Sequence, residues 1–139
     1  MPSGALAVSF SLDADLHRLR IPPRRPARFA DGLWRHTCFE VFLATRSRAY
    51  REYNFSPSGE WAAYGFSAYR KRIRAHPRRP RFRVRPGGLV VTIEARGCVR
   101  IGLCAVIEEK NGVLSYWALR HPPGKPDFHH RRAFAMELA

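Results

Sequence analysis

Several patterns are missing from this sequence, and each absence removes a class of protein. The cysteines, Cys38, Cys98 and Cys104, are odd in number and nowhere spaced CxxC, so neither a disulfide framework nor a structural zinc site is supported. They read as reduced, buried small side chains. No apolar run approaches the length that crosses a bilayer, and no charged, apolar and small-residue leader stands near Met1. A soluble, cytoplasmic protein with no membrane partner is therefore expected. No segment keeps a 3.6-residue apolar period over three turns, which leaves the strand as the organising element. At 139 residues the chain suits one domain spanning 1–139, long enough to bury a core and too short for two.

Carboxylates are also scarce. Eleven Asp and Glu face 25 Lys and Arg, a net charge of +14 at pH 7, and clustered cations of this kind neutralise nucleic-acid phosphates. Arg greatly outnumbers Lys and Ala is abundant, a bias that a GC-rich coding sequence also produces. The arginines are spread widely, with one dense patch from Arg70 to Arg85, RKRIRAHPRRPRFRVR. That patch carries the alternative reading of the chain as a basic nucleic-acid-binding module. A solvated, soluble surface is the reading preferred over it.

What is present is alternation. Leu6, Val8, Phe10 and Leu12 alternate with smaller or polar residues, and Leu16 to Ile21 forms a second short run that ends at Pro22-Pro23-Arg24-Arg25-Pro26. In LWRHTCFEVFL, Phe39, Val41 and Leu43 share one face, and His36, Cys38, Glu40 and Phe42 share the other. The second face mixes polar with apolar groups, so it is not a solvent face. In YREYNFSPSGEWAAYGFSAYR, two aromatic-rich arms flank Ser56-Pro57-Ser58-Gly59, a hairpin turn signal. Two more alternating runs follow, Leu89 to Ala95 and Val99 to Ile107. The Asn111-Gly112 pair then predicts a hairpin into Val113 to Leu119, and Phe134, Met136 and Leu138 mark a closing strand. Many short strands with regularly spaced turns predict an all-β fold, an antiparallel β-sandwich or jelly roll.

If the central strands share a sheet, their non-core faces collect His36, Cys38, Glu40, Glu52, Asn54, Trp61, Ser115 and Trp117. Indole rings beside carboxylates and amides suit a sugar, whose C–H faces stack while paired hydroxyls meet Glu and Asn. The other reading of the same residues is that Glu40 and Glu52 pair with arginines such as Arg70 or Arg120 and lock the sheet, while the tryptophans finish the packing. A third possibility is a metal-dependent enzyme at His121 to His130, where His121, Asp127, His129 and His130 cluster within reach of His36. Neither HExxH nor HxH spacing supports it, and the structural reading has Asp127 accepting loop amides while Phe128 plugs the core. A nucleophilic Cys38 beside His36 lacks any sign of an oxyanion hole.

Three motifs, LWRHTCFEVFL, YREYNFSPSGEWAAYGFSAYR and SYWALRHPPGKPDFHH, occur in an order and spacing that resembles the bacterial DOMON-like domain proteins, more distant relatives of the family 9 carbohydrate-binding modules. The resemblance covers nearly the whole chain from about Leu6. It implies an immunoglobulin-like or jelly-roll β-sandwich from a superfamily that binds sugars or haem. The sugar-binding relatives' acidic strand residue is matched by Glu40, and their Tyr-Glu-Phe-Asn-like strand and turn by Glu52, Asn54 and Ser56 to Gly59. Haem-binding relatives use Met and His as axial ligands. Met136 is the only internal methionine and its strand phase points it into the core, so haem is disfavoured and no cofactor is expected.

Relatives carry a strand ahead of the one at Leu6. Its absence here would expose an edge, so a monomer or an edge-strand homodimer is expected. Gly65 stands where a larger, often basic, residue is usual, which would enlarge or weaken a groove there. The function expected is a non-catalytic sandwich that binds a carbohydrate or sugar-like small molecule. Trp61 and Trp117 would stack, Glu40, Glu52 and Asn54 would meet hydroxyls, and His36, His121 and Asp127 would line the rim.

Overall fold

Most of the alternating runs are extended strands. The computed structural model describes residues 4–74 and 77–138. Its strands are β1 (Ala5–Ser11), β2 (Cys38–Thr45), β3 (Tyr50–Phe55), β4 (Trp61–Ala68), β5 (Lys71–Ile73), β6 (Arg81–Arg85), β7 (Gly88–Glu94), β8 (Cys98–Glu108), β9 (Leu114–Ala118) and β10 (Met136–Glu137). Single 3-10 turns at Leu16–Arg18, Leu33–Arg35 and Arg131–Ala133 sit in the connections. Among the described residues no helix is long and apolar enough to cross a membrane.

Two antiparallel sheets form. One has the order β1-β7-β6; the other runs β10-β8-β2-β3-β4-β5, with β9 also pairing to β8. Val8 of β1 stands opposite Val91 of β7, and Phe10 opposite Leu89, so the small sheet presents one continuous apolar face. That face packs on Phe39, Val41, Leu43, Tyr53 and Phe55 of the large sheet. The expected antiparallel β-sandwich is what the chain builds.

β2 is buried on both faces, from Cys38 through Ala44, the condition of a strand covered by two layers. Its odd-numbered residues enter the inter-sheet core. Its even-numbered ones, Cys38, Phe42 and Ala44, join a second apolar cluster with Tyr50, Tyr64, Phe66, Phe128 and Phe134. This second layer exists because the segment after β9 returns across the outer face of the large sheet. Phe134 stacks on Phe42 with ring centroids 5.6 Å apart. Gly102, opposite Phe42 on β8, makes room for it: a Cβ there would lie 3.0 Å from the Phe134 ring and 3.1 Å from the Ala133 carbonyl oxygen.

The central hairpin closes through Ser56–Glu60. Ser56 N–H donates to the Glu60 carbonyl at 2.9 Å, and Gly59 N–H to the Ser56 carbonyl at 3.0 Å, with Gly59 at φ +98. The residues around Pro26 shield this turn, since Arg25 N–H donates to the Ser58 carbonyl and Trp61 N–H to that of Arg28.

Two expectations change. The run Leu16 to Ile21 contains a 3-10 turn, capped by the Asp15 side chain accepting from His17 N–H at 3.1 Å. The closing strand is reduced to β10, because a 3-10 turn at Arg131–Ala133 spends the residues before it. Met136 is consequently 48% exposed instead of buried, and its burial can no longer serve as the argument against haem.

Candidate functional site

The outer face of the large sheet carries two carboxyl groups almost out of solvent. Glu40 on β2 is 3% exposed and Glu52 on β3 is 5% exposed. Glu40 pairs across the ladder with Asn54, and Phe42 with Glu52, so the two acids are diagonal neighbours on one face. Burial first, and then the charge of Glu52, pushes Glu40 well above the usual carboxylate range. Burial also raises Glu52, to about 7, against the lowering pull of Asn54, of a hydrogen bond with Glu40, and of Arg72 and Arg70. Burial and the neighbouring carboxyl both favour the protonated form of Glu40, because two carboxylates this close are costly to ionise together out of water.

Each end of the pair is held. Cys38 Sγ donates to Glu40 Oε2 at 3.4 Å, and burial followed by the Glu40 charge keeps that thiol well above its usual range. His129 Nε2 lies 3.4 Å from Glu52 Oε1, while its Nδ1 is 2.8 Å from the Tyr50 hydroxyl. Burial and then Arg70 lower His129 to about 4, which favours the neutral ring; with Nδ1 accepting from the Tyr50 hydroxyl, Nε2 carries the proton on the side that faces Glu52. The Tyr50 oxygen in turn accepts from Arg70 N–H at 3.0 Å. The Asn54 amide lies beside Glu52 and favours its ionised form, yet neither polar atom of its side chain completes a well-aligned hydrogen bond among the described residues.

Above the acids opens a cavity of about 610 Å³, between strands β2 to β4 and the 125–129 loop. Tyr64, Tyr116, Phe128 and Trp34 supply its aromatic surface, and Arg70, Arg72 and Lys125 its cations. Tyr64 donates to Asp31 Oδ1 at 2.5 Å and carries the Arg72 guanidinium over its ring at 4.0 Å. Asp127 accepts from Arg70 Nη2 at 2.9 Å and from the Tyr69 hydroxyl. Burial would raise Asp127, but these two donors overcome it and hold its carboxyl low.

Glu40, Glu52 and Asp127 line the cavity, and Asn54 shares the face of the two glutamates. Trp61 and Trp117 do not. Phe55 stands opposite Trp61 and Glu52 opposite Tyr64, so the indole of Trp61 belongs to the inter-sheet side. There it meets Phe29 edge-on at 5.4 Å. Trp117 and Ser115 face the same way, opposite Ala105 and Ile107, and Trp117 is 63% exposed. Its neighbour Tyr116, one residue out of phase, reaches the cavity instead. Gly65 stands opposite Arg51 on the far side and does not shape the groove.

The histidines also divide. His36 turns away to Glu108, Nδ1 to Oε1 2.9 Å, which separates it from Cys38. His121 stacks on Phe128 outside the cavity lining, with centroids 6.3 Å apart. His130 accepts from Arg132 N–H at 3.1 Å. Among the described residues no three His, Cys, Asp or Glu side chains gather as metal ligands. Among the described residues no arginine clasps Glu40 or Glu52 within ion-pair distance, and Arg70 is engaged by Asp127; the arginine pairing of the purely structural reading is not formed among them. Phe128 does plug the layer beneath its loop, as expected.

Tyr64, Tyr116, Trp34 and Lys125 are not among the expected site residues, and Arg72 and His129 are expected only in the basic-patch and metal readings. Tyr64 was legible in principle: it shares alternation with Ala62 and Phe66, and only the register of the hairpin decides which face meets Glu52. A family-model scan and searches of characterised proteins and of solved structures found no match to this chain. The fold and site therefore define it as an antiparallel β-sandwich with an acid-floored, cation-rimmed cavity on one sheet.

Proposed function

We propose that this cavity binds a carbohydrate or sugar-like small molecule without catalysing its reaction, in keeping with the DOMON-like resemblance of its motifs. The observation that carries the reading is the pair of buried carboxyls, Glu40 and Glu52, side by side at the base of an aromatic-walled cavity. Two adjacent carboxyls, with the protonated form favoured at Glu40, can offer acceptors and a donor side by side, which matches vicinal hydroxyls. Tyr64, Tyr116 and Trp34 supply flat apolar surfaces for C–H faces. Arg72 and Lys125 form no ion pair among the described residues and favour a ligand with some negative charge.

Calorimetry against neutral and acidic mono- and oligosaccharides tests this reading. Stacking with two or three hydrogen bonds gives an expected Kd of roughly micromolar to millimolar. Trp34→Ala, Tyr116→Ala and Glu52→Gln should each weaken binding, and Trp117→Ala should not. A saccharide panel that gives no saturable heat, or binding indifferent to all three cavity variants, defeats the proposal.

A further inference from the structure

The basic stretch that reads as one patch in the sequence is split by the fold. Arg70 and Arg72 turn to the acid-floored cavity, while Arg79, Arg81 and Arg83 line a separate groove of about 480 Å³ together with Arg24. Phe82 gives it an apolar surface and Gly59 part of its backbone. The groove follows β6, the edge strand of the small sheet.

Among the described residues no carboxylate lines this groove. Among the described residues none of the four arginines forms an ion pair. Arg79 rests over the Trp61 ring at 5.8 Å. Arg24 lies against the hairpin turn, where a Cβ on Gly59 would be 3.8 Å from its guanidinium carbon. Arg81 and Arg83 stand opposite Thr92 and Val90 on the same side of β6, so the strand fixes them about 6.8 Å apart. Arg85 continues the row. Four like charges converging on one concavity, two of them tied to a rigid ladder, leave a positive potential that only an anion satisfies.

The spacing decides which anion. A single anion would meet one or two of these side chains, whereas a chain with a charge at each step meets the row. Successive phosphates along one strand repeat at a comparable distance, and the guanidinium fork binds phosphate oxygens two at a time. We propose that the β6 groove is a second ligand site, for a chain of phosphates, supplied either by the backbone of a single nucleic-acid strand or by a free oligophosphate. Arg24 faces Arg81 and Arg83 from a different segment, so the chain is held between two walls, as single-strand grooves hold a backbone. An acidic peptide added to the β6 edge would draw its affinity from backbone pairing and would not need that second wall.

The test uses fluorescence anisotropy of the full chain with a labelled oligothymidylate, and tripolyphosphate and polyglutamate as competitors. Arg81→Ala/Arg83→Ala should weaken oligonucleotide binding about 100-fold and reduce the slope of log K against log salt by about 1.5. The control Arg46→Ala/Arg48→Ala removes the same charge from the exposed β2–β3 turn and should change affinity less than about 3-fold. Arg24→Ala, on the opposite wall, should weaken binding as well, independently of any effect of the β6 variant on folding. Displacement by tripolyphosphate identifies a free oligophosphate as a competent ligand, and its failure to displace assigns the site to a nucleic-acid strand. Equal losses in the two double variants, stronger displacement by polyglutamate, or no binding at low salt overturns the proposal.

Discussion

Glu52 of β3 stands directly opposite Tyr64 of β4. This register assembles the candidate cavity, because it brings Tyr64 and its Arg72 partner to the acid pair and sends Trp61 to the other side of the sheet. A shift by one residue would have exchanged the two faces.

The acid pair makes stability depend on pH with a determinable sign. Glu52 has a folded pKa of about 7 against an ordinary 4.5, so the folded state holds the proton more tightly and stability declines as pH rises from about 4.5 to 7. Glu40 acts in the same direction. His129, lowered to about 4 from 6.5, acts oppositely: its contribution is lost as pH falls through that interval. Glu52→Gln keeps the acceptor for His129 and removes the ionisation, so it should raise stability at pH 8 by about 3 kcal/mol and change little at pH 4. Urea denaturation at the two pH values checks this, and an equal effect at both contradicts it.

Trp61 buries an indole N–H that has no partner among the described residues. Trp61→Phe should therefore cost less than about 1 kcal/mol, because it removes an unsatisfied donor along with some packing. Trp61→Ala should cost about 3 kcal/mol or more through the space it leaves against Phe29 and the inter-sheet core. Thermal melts of the two variants side by side give the comparison.

Phe42 is fully buried and joins the sheet to the returning segment through Phe134 and, edge-on, through His129 at 5.1 Å. Phe42→Ala should cost about 3–5 kcal/mol. It should also loosen the loop that forms one wall of the cavity. Limited proteolysis should then cut first between 120 and 130, ahead of the strands.

Gly88 lies where β1 and β7 meet, and a Cβ there would stand 2.1 Å from the Phe10 carbonyl oxygen, a backbone atom. Gly88→Ala should cost more than about 4 kcal/mol or prevent folding. Gly97, at φ +80 with nothing within 4 Å of a Cβ, should tolerate Ala for about 1 kcal/mol. Soluble yield and circular dichroism distinguish the two outcomes.

Alternation alone told which residues share a face within each strand, and hence that Phe39, Val41 and Leu43 point together and that Glu40 belongs to a covered second face. Those relations are local, because successive side chains on an extended backbone must point to opposite sides. Which face of one strand joins which face of the next was decided only in the assembled sheet. Trp61 and Tyr64 are equally plausible neighbours of Glu52 until the five-residue turn fixes the pairing, and Trp117 and Tyr116 differ by one step in β9. The lid over the acids is likewise non-local. Phe128 and His129 reach Glu52 because the chain beyond β9 folds back across the large sheet, a path set by the burial of Phe134 against Phe42 and by the room that Gly102 leaves for it.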